Sequence, residues 1–306
     1  MREINIIGAT SPLGIDLTRY LIDKGERVRM SYRSEGRVPI YLRECPSVEI
    51  GRLDLDPGTD FTPFLSGTVV WLAHLDQGRS NELEVETNIA VFERFLSQAT
   101  RADVSKIIFV SSGGSVYGEP ETLPIREDHP LRPLSSYGKA KAAMERLLIE
   151  MTGRSALPTA ILRPGNIYGF SDPNRDIKGI VAAFIDALAG EKPFTLIHEG
   201  RTVRDFVHVD DVVSAISAAA ESREKNVVWN VATGSGNPTI DIIEMISRAA
   251  ERQARELIRV DNFETDVEQS VLSIARITSM SDWSPRISLD AGIARTVAES
   301  RARFSR

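Results

Sequence analysis

Short apolar segments alternate along the chain with longer segments in which apolar residues recur every three or four positions. The short segments are rich in β-branched residues, as buried strands are, and the longer ones have the period of amphipathic helices. The predicted strands are Ile4–Ile7, Val28–Tyr32, Val48–Arg52, Val69–Ala73, Ile107–Ser111 and Thr159–Arg163. The predicted helices are Leu13–Lys24, Leu83–Ala99, Tyr137–Met151 and Ile177–Ala189. This alternation predicts an α/β fold, a doubly wound parallel sheet with helices on both faces.

The predicted helix over 83–99 shows the helical period most clearly. Its apolar residues Val85, Ile89, Phe92 and Leu96 follow one another at intervals of four, three and four. Because a helix turns once every 3.6 residues, these side chains share one side of the helix. We predict that this side is buried.

The regular alternation ends after Gly165. Two later segments still follow it: Asp210-Asp211 predicts the N-cap of a helix that ends near Glu221, and Val227–Val231 predicts one more strand. The pattern therefore predicts two units. The sheet domain comprises 1–165 and, where the chain returns to it, about 204–231, and a smaller, discontinuous C-terminal lobe comprises 166–203 and 232–306.

A glycine-containing turn joins the first predicted strand to the first predicted helix. Its sequence is Gly8-Ala9-Thr10-Ser11-Pro12-Leu13-Gly14. In a doubly wound sheet, such a turn presents backbone N–H groups to a pyrophosphate. Gly8 suits the tight turn and Gly14 suits close helix packing, whereas Ser11, in place of a middle glycine, is expected to narrow the approach of the phosphates. The alternative is a strand-to-helix turn that binds no ligand.

The second predicted strand is followed by Arg33, where a dinucleotide site commonly has an acid for the adenosine ribose. A guanidinium pairs well with phosphate, so Arg33 favours NADP over NAD. The alternative is an exposed charge at the end of a strand. Asp54, after the third strand, either accepts a hydrogen bond from an adenine amino group or caps a turn.

Tyr137 and Lys141 lie four residues apart at the start of a predicted helix and therefore on one face of it. An adjacent ammonium favours the phenolate, which brings a tyrosine into range as a general acid/base at neutral pH. Lys141 is also placed to donate to the nicotinamide ribose. Two strands end in small polar residues, at Ser111-Ser112 and at Pro164-Gly165-Asn166, and in a parallel sheet these ends share the edge of the glycine turn.

Composition and charge exclude several classes of protein. The 306 residues include 37 Lys+Arg and 43 Asp+Glu, a net charge of −6, so we expect no nucleic-acid partner. The single cysteine, Cys45, and the scattered histidines predict neither a disulfide nor a metal site. The chain has no apolar run of membrane-spanning length and no signal peptide at Met1, so we expect a cytoplasmic protein with no membrane partner.

Taken together, the chain resembles an extended short-chain dehydrogenase/reductase, of the NAD-dependent epimerase/dehydratase family acting on nucleotide sugars. The resemblance covers nearly the whole length. The matching segments are the turn at 8–14, Leu53-Asp54-Leu55, Val70-Trp71-Leu72-Ala73, Asn88, 111–118, Tyr137-x-x-x-Lys141, Arg163 to Gly169, Arg204 to Asp211, and Trp283-Ser284-Pro285. The implied fold is a Rossmann-type sheet domain with a C-terminal substrate-binding lobe, and the implied cofactor is NAD or NADP.

The resemblance implies a role for each matching residue. Tyr137 would be the catalytic acid/base and Lys141 its electrostatic partner. The residues implied to bind cofactor are Gly8, Thr10, Ser11, Pro12, Leu13, Gly14, Arg33, Asp54, Leu55, Leu72, Ala73, His74, Asn88, Ser111, Tyr137, Lys141, Pro164 and Ile167. Those implied to bind substrate are Ser112, Gly113, Asn166 and Arg204, where Asn166 would contact a substrate phosphate and Arg204 the diphosphate. For Arg204 the alternative is an ion pair with Asp205 or a neighbouring acid.

The sequence also departs from the family pattern. Gly113 occupies the usual place of the catalytic hydroxyl, so Ser112 is the first candidate for that role and Ser115 the second, the alternative for Ser112 being that it only satisfies nearby backbone donors. His74 stands where a small residue beside the nicotinamide is usual. Gly114 and Ser115 stand where dehydratases carry an acid pair, which argues against dehydration.

Three functions remain open on the sequence alone. The first is an NAD(P)-dependent nucleotide-sugar epimerase that transfers a hydride reversibly at a sugar carbinol. The second is an NADPH-dependent 4-keto nucleotide-sugar reductase, which Arg33 favours. The third is a non-catalytic cofactor-binding or scaffold protein. The resemblance also implies a homodimer that packs through the helices over 83–99 and 137–151, where Ala140, Ala143, Met144 and Leu147 are suitable contacts.

Overall fold

The computed structural model describes residues 1–75, 82–153, 156–171, 179–261 and 267–300. The strands are β1 (Glu3–Ile7), β2 (Arg27–Tyr32), β3 (Val48–Arg52), β4 (Ser66–Trp71), β5 (Asp103–Val110), β6 (Thr159–Pro164), β7 (Asn166–Tyr168), β8 (Phe194–Ile197), β9 (Val203–Arg204), β10 (Phe206–His208), β11 (Val227–Val231), β12 (Asn237–Pro238), β13 (Leu257–Val260) and β14 (Gln269–Ser270). The helices are α1 (Pro12–Asp23), α2 (Ile40–Arg43), α3 (Glu82–Ala99), α4 (Gly113–Val116), α5 (Ser136–Thr152), α6 (Ile180–Ala189), α7 (Val209–Glu221), α8 (Thr239–Ala250), α9 (Ala275–Met280) and α10 (Leu289–Glu299). The start predicted for the fourth long helix, at Ile177, lies outside the described residues.

Seven strands form one parallel sheet in the order β11-β6-β5-β4-β1-β2-β3. The chain builds outward from β1 to β3, then crosses back to β4 and builds in the opposite direction. The strand order therefore reverses between β1 and β4, and ligands of doubly wound sheets bind at the carboxyl ends of the strands beside such a reversal. The predicted α/β fold with a doubly wound parallel sheet is confirmed.

Apolar residues cover both faces of this sheet. On one face α1 and α7 pack over β1, β2, β6 and β11, and on the other face α3 and α5 pack over β1, β4 and β5. Trp71 belongs to the second face, where its ring contacts those of Phe61, Phe92 and Phe95. This aromatic cluster anchors the end of β4 and the helix that follows it.

The buried side of α3 differs from the predicted one. It is formed by Glu84, Asn88, Val91, Phe92, Phe95, Leu96 and Ala99. Val85 and Ile89 are only half-buried. Two polar side chains take the place of apolar ones at the N-terminal end of this side, and both contact the loop after β4.

β4 is displaced from its predicted position, Val69–Ala73. It begins at Ser66 and ends at Trp71, and just beyond its end the Trp71 indole donates to the Ala73 carbonyl at 3.0 Å. Leu72 still donates to the Ile7 carbonyl of β1, at 2.9 Å. Leu72 and Ala73 thus lie beside the glycine turn rather than within a strand.

The N-cap of α7 is His208, and not Asp210-Asp211 as predicted. Its Nδ1 accepts a hydrogen bond from the Asp210 backbone N–H at 3.1 Å, where a side-chain oxygen is the usual acceptor. Asp211 lies inside the first turn, where its carboxylate accepts from the backbone N–H groups of Arg286 and Ile287. The acid is therefore used to bind the C-terminal segment.

The elements of the predicted C-terminal lobe surround a third apolar core. It is built from the helices α6, α8 and α10 and the strands β7 and β10. The strands outside the main sheet are two to four residues long. α7 and β11 return to the main sheet between these segments. The boundaries at 165, 204 and 231 stay predictions. Among the helices of the described ranges, none is long and apolar enough to cross a bilayer.

His208 gives this region a predictable response to acid. The side chain is 1% exposed, and burial, together with the nearby Arg295 guanidinium, lowers the pKa of His208 to about 4 although Asp210 opposes the shift. As the pH falls through about 6.5, the imidazole is protonated in the unfolded chain but stays neutral in the folded chain. The stability that the folded state has above this pH is therefore lost as the pH falls toward 4. From pH 7 to pH 5 we expect a loss of about 1 to 2 kcal/mol from this group.

Urea unfolding at both pH values measures this contribution. His208→Asn keeps a side-chain acceptor for the Asp210 N–H and has no titrating group, so its unfolding midpoint should fall less over this interval than that of the wild type. Equal falls in the two proteins would contradict the assignment to His208.

Candidate active site

The turn between β1 and α1 brings backbone close to backbone. Gly8 has a φ of +88°, and a Cβ there would lie 2.8 Å from the backbone nitrogen of Ala73. A Cβ on Gly14 would lie 2.5 Å from the Ala9 carbonyl oxygen. Both positions therefore require glycine, as a turn that holds a pyrophosphate at a helix N-terminus does.

Ser11 caps the helix that follows this turn. Its Oγ accepts a hydrogen bond from the Gly14 N–H at 3.1 Å and donates to the Gly8 carbonyl at 2.8 Å. The hydroxyl expected to narrow the phosphate approach is therefore engaged within the turn itself. The other residues of the turn with a predicted cofactor role are Thr10, Pro12 and Leu13, and their contacts stay predictions.

The carboxyl ends of β2 and β3 carry the residues predicted to contact the adenosine. Arg33 and Asp54 are both exposed. Asp54 forms an ion pair with Arg52 at 2.9 Å, whereas Arg33 has no hydrogen-bond or ion-pair partner within the described residues. Leu55 packs against the aromatic face of the sheet. Arg33 is thus the cation available to an anionic ligand at this edge.

Asn88 fixes the loop after β4. Its amide donates to the Leu75 carbonyl at 3.0 Å and accepts from the Leu75 N–H at 2.8 Å. A third bond runs to the Glu84 carbonyl, and Asn88 is 3% exposed. Predicted as a cofactor ligand, Asn88 is here bonded to the protein backbone, so its observed role is to hold the loop.

Tyr137 is the second residue of α5, whose N-cap is Ser135, and its hydroxyl is hydrogen bonded to the Ser112 side chain. The residue is 37% exposed, yet burial around the hydroxyl raises the pKa of Tyr137 to about 12, while the bond to Ser112 acts in the opposite direction. Ser112 also donates to the Ser115 hydroxyl at 3.2 Å. The hydroxyl predicted at Ser112 therefore lies beside the predicted acid/base.

Lys141 is 2% exposed, and its ammonium donates to the Val110 carbonyl at 2.9 Å. Its Nζ lies 5.8 Å from the centroid of the Tyr137 ring. Burial lowers the pKa of Lys141 to about 8, although Glu145 opposes the shift. The predicted lowering of the Tyr137 pKa by Lys141 is thus not found in this structure, because burial dominates at both groups and the lysine bonds to backbone.

The hydroxyl of Ser111 bears on whether a dinucleotide fits at this edge of the sheet. Its hydroxyl lies at the end of β5, is buried, and has no hydrogen-bond partner among the residues that the structure describes. A buried polar atom left unpaired by the protein is a place for a ligand atom. Together with the glycine turn and Lys141, Ser111 fits the cofactor predicted at the carboxyl ends of the strands. Two further residues predicted to bind cofactor follow along the chain: Pro164 ends β6, and Ile167 lies in β7.

The space at Gly113 is limited by a residue from the C-terminal part of the chain. A Cβ at position 113 would lie 2.5 Å from Leu272 Cδ1 and 3.0 Å from the Arg163 carbonyl oxygen. Leu272 is fully buried, so this space is closed to a side chain. The hydroxyl bonded to Tyr137 comes from position 112, and the contact that closes position 113 could not be read from the sequence because Leu272 is 159 residues away.

A pocket of about 40 Å³ opens among the elements that follow β6. It is lined by Asn166, Ile167, Phe206, Ile180 and Thr296 among others. Asn166 faces Gly114, where a Cβ would lie 3.2 Å from Asn166 Oδ1. The pocket therefore begins next to the segment that carries Ser112.

Arg204, predicted to clamp a diphosphate, is 5% exposed and its guanidinium donates to the backbone carbonyls of Val203, Val267 and Glu268. In the described contacts its role is to join β9 to the C-terminal segment. The neighbouring Asp205, proposed as its alternative partner, accepts hydrogen bonds from backbone N–H groups of Thr233, Gly234 and Leu272. Burial nevertheless raises the pKa of Asp205 above its usual value.

A buried polar network behind Lys141 was not predicted. Arg163 binds Glu145 through three nitrogen-to-oxygen distances of 3.1, 3.1 and 2.6 Å, and it donates to the Tyr117 hydroxyl at 2.8 Å. Tyr117 in turn donates to Asn230 at 2.6 Å. An arginine inside an otherwise apolar strand was the available signal, since such a residue is rarely buried unpaired.

The glycine turn lies where the strand order reverses, and Ser111 beside it has an unpaired buried hydroxyl. Tyr137, hydrogen bonded to Ser112, precedes the buried Lys141 by one helical turn. These features are those of a dinucleotide-dependent enzyme of the short-chain dehydrogenase/reductase class. The chain belongs to the NAD dependent epimerase/dehydratase family, whose model matches residues 4–232.

Individual relatives agree with this family. A putative UDP-glucose 4-epimerase of Methanocaldococcus jannaschii is 32% identical over 212 residues, which are 69% of this chain and 68% of the relative. A dTDP-4-dehydro-6-deoxyglucose reductase of Escherichia coli is 29% identical over 202 residues, 65% of this chain and 62% of that protein. The crystal structure of a Thermus thermophilus UDP-glucose 4-epimerase in complex with NAD superimposes with a TM-score of 0.85 at 28% identity, covering 98% of this chain and 99% of that one.

Proposed function

We propose that the protein is an NAD(P)-dependent nucleotide-sugar epimerase with Tyr137 as acid/base. The observation that carries this proposal is the placement of Tyr137, Ser112 and Lys141 at the edge of the sheet where Ser111 leaves a buried hydroxyl for a ligand. The epimerase relatives and the NAD complex of the Thermus enzyme support it. Gly114 and Ser115, in place of an acid pair, argue against a dehydratase.

The residues divide the reaction between them. Bound NAD(P) supplies a reversible hydride acceptor whose positive charge, when oxidised, favours the phenolate of Tyr137. Tyr137 takes the hydroxyl proton as the sugar carbinol becomes a ketone, and it returns this proton when the hydride comes back to the opposite face. Ser112 holds the Tyr137 hydroxyl and, on this proposal, the reacting sugar oxygen, while Lys141 adds a positive charge close to the ring.

The nucleotide-sugar would place its phosphates beside Asn166, and the pocket there, of about 40 Å³, would hold only part of the ligand. A side-chain amide there offers donors to a phosphate, and the apolar lining offers a surface for a base. Contact of Arg204 with the diphosphate stays a prediction, and its guanidinium donates to three backbone carbonyls in this structure.

The epimerase proposal is tested with UDP-glucose as probe. We expect interconversion with its 4-epimer, detected by chromatography, without net oxidation or reduction of the cofactor. We also expect mass spectrometry of the purified protein to find a retained dinucleotide. A protein that holds a dinucleotide but leaves this probe and other nucleotide hexoses unchanged would contradict the epimerase assignment.

A reductase is the second candidate, and Arg33 is the observation that favours it. A cation at the end of β2 suits the 2′-phosphate of NADPH, which a reductase exchanges at each turnover. A relative named as a dTDP-4-dehydro-6-deoxyglucose reductase belongs to the same group of similar proteins. Consumption of NADPH on addition of a 4-keto nucleotide sugar would favour this candidate. A protein that binds no dinucleotide would favour the scaffold.

Arg33 gives a prediction about cofactor choice that both enzymatic candidates share. Arg33→Asp should weaken binding of NADP relative to NAD by about 10-fold to 100-fold, because a charge-assisted bond to the 2′-phosphate is replaced by repulsion. Isothermal titration with each dinucleotide measures the ratio. Arg101→Asp, an exposed arginine at the far end of α3, is the matched control and should leave the ratio unchanged. An unchanged ratio in Arg33→Asp would remove Arg33 from the site.

A homodimer and a cytoplasmic location complete the proposal. α3 and α5 pack side by side and expose Leu83 and Ile149, which suits a bundle of helices from two copies. Ala140 and Met144, predicted as partner contacts, are instead fully buried within the chain, since they face the sheet. Sedimentation equilibrium tests the dimer, and Ile149→Glu should shift it toward the monomer.

A further inference from the structure

The imidazole of His74 packs against the ring of Tyr137. The two ring centroids lie 4.7 Å apart and the planes meet at 79°, an edge-to-face arrangement. His74 comes from the loop after β4 and Tyr137 from the first turn of α5, so the contact joins two separate elements at the candidate active site. The side chain of His74 is 14% exposed.

The position of His74 is set from α3. His74 Nε2 lies 3.1 Å from Glu84 Oε1, and the Glu84 side chain is 7% exposed. One helical turn further, Asn88 binds both backbone groups of Leu75. Glu84 and Asn88 are four residues apart and share a face of α3. This face therefore holds the side chain of one loop residue and the backbone of the next.

Tyr137 consequently has three kinds of neighbour. Ser112 binds its hydroxyl, the Lys141 ammonium lies 5.8 Å from its ring centroid, and His74 lies against its ring. The charged groups near His74 in these contacts are Glu84 from α3 and Lys141 from α5. A tyrosine in the first turn of a helix can adopt more than one staggered rotamer, and of these three contacts only His74 restrains the ring itself by packing.

We propose that His74, held by Glu84, is a positioning residue that fixes the ring of Tyr137 so that its hydroxyl stays at Ser112. This inference rests on the proposed function of Tyr137. Glu84 acts through His74 and has no direct part in proton transfer.

The first test asks whether the ring at position 74, rather than its hydrogen bond to Glu84, positions Tyr137. His74→Ala should lower kcat about 10-fold to 100-fold, a loss that small misplacement of a catalytic group produces, with KM and dinucleotide affinity within about twofold. His74→Phe keeps a ring against Tyr137 and should recover most of kcat. Wild-type kcat in His74→Ala would overturn the proposal, and so would a His74→Phe variant as impaired as His74→Ala.

The second test asks whether Glu84 acts through His74. Glu84→Gln should lower kcat in the wild-type background and have no further effect in His74→Phe, where no imidazole remains to be held. Glu86→Gln, the same change on the exposed side of α3, is the control and should leave kcat unchanged. An equal loss from Glu84→Gln in both backgrounds would overturn the coupling.

A readout without turnover distinguishes this proposal from failure of the proposed function. Ultraviolet difference titration of each protein against its Tyr137→Phe counterpart reports ionisation of that one phenol. His74→Ala admits water to the ring and should bring the apparent pKa of Tyr137 down toward the ordinary value of about 10, whereas His74→Phe should not. An unaltered titration in His74→Ala would overturn the packing role even if no substrate is ever turned over.

Discussion

Tyr137→Phe is expected to reduce epimerase turnover by about 1,000-fold while leaving dinucleotide affinity within about twofold. The substitution removes one oxygen, the one bonded to Ser112, and keeps the ring that packs on His74. Proton transfer to and from the sugar hydroxyl then has no donor or acceptor of the right kind, whereas the glycine turn and Ser111 are untouched. Single-turnover kinetics with UDP-glucose and titration with NAD measure the two quantities.

The control for this variant is Ser112→Ala. It removes the hydrogen bond that holds the tyrosine hydroxyl but keeps the phenol, so we expect a smaller loss, of about 10-fold to 100-fold. Full turnover in Tyr137→Phe would end the assignment of Tyr137 as acid/base. An equally severe loss of NAD binding would show instead that the variant disturbs the site as a whole.

Arg163→Met should lower the free energy of unfolding by about 3 to 5 kcal/mol. Arg163 and Glu145 have side chains that are 5% and 0% exposed, so removal of the guanidinium leaves a carboxylate buried without its counter-charge. Tyr117 and the Glu127 carbonyl lose a donor as well. Urea unfolding followed by fluorescence measures the change.

An exposed ion pair of the same kind provides the comparison. Arg132 and Glu121 are 2.5 Å apart but 60% and 56% exposed, so Arg132→Met should cost no more than about 1 kcal/mol. The double variant Arg163→Met with Glu145→Leu should recover part of the stability, because it removes the stranded charge along with its partner. Equal costs for Arg163→Met and Arg132→Met would contradict the role assigned to the buried pair.

The order of helices and strands could be predicted because it depends on local patterns. β3 and β11 have their predicted bounds, and α1, α3 and α5 begin within one residue of the predicted positions. The errors arose where a side chain from elsewhere changes a local rule. β4 ends early at Trp71, whose indole donates to the Ala73 carbonyl, and His208 replaces the two aspartates as the cap of α7.

The candidate site was predictable as a set of residue types and less so as a set of contacts. Tyr137, Lys141 and Ser112 do lie together, since a strand end and a helix start at one sheet edge are near each other in any doubly wound fold. Asn88, Arg204 and Glu84 could not be assigned, because each is bonded to a segment whose approach depends on the whole fold. Apolar periodicity ranks buried polar residues as exposed, so it could not indicate that Glu84 and Asn88 belong to the buried side of α3.

The carboxylate of Asp205 binds backbone N–H groups at Thr233, Gly234 and Leu272. These donors come from parts of the chain that are made after the last strand of the main sheet. A nascent or truncated chain that stops before Leu272 therefore contains a buried acid short of one of its donors, as well as an open space at Gly113. The sheet and the segments that follow it are thus expected to fold as one unit, and the space beside Gly113 is filled only once Leu272 has been added.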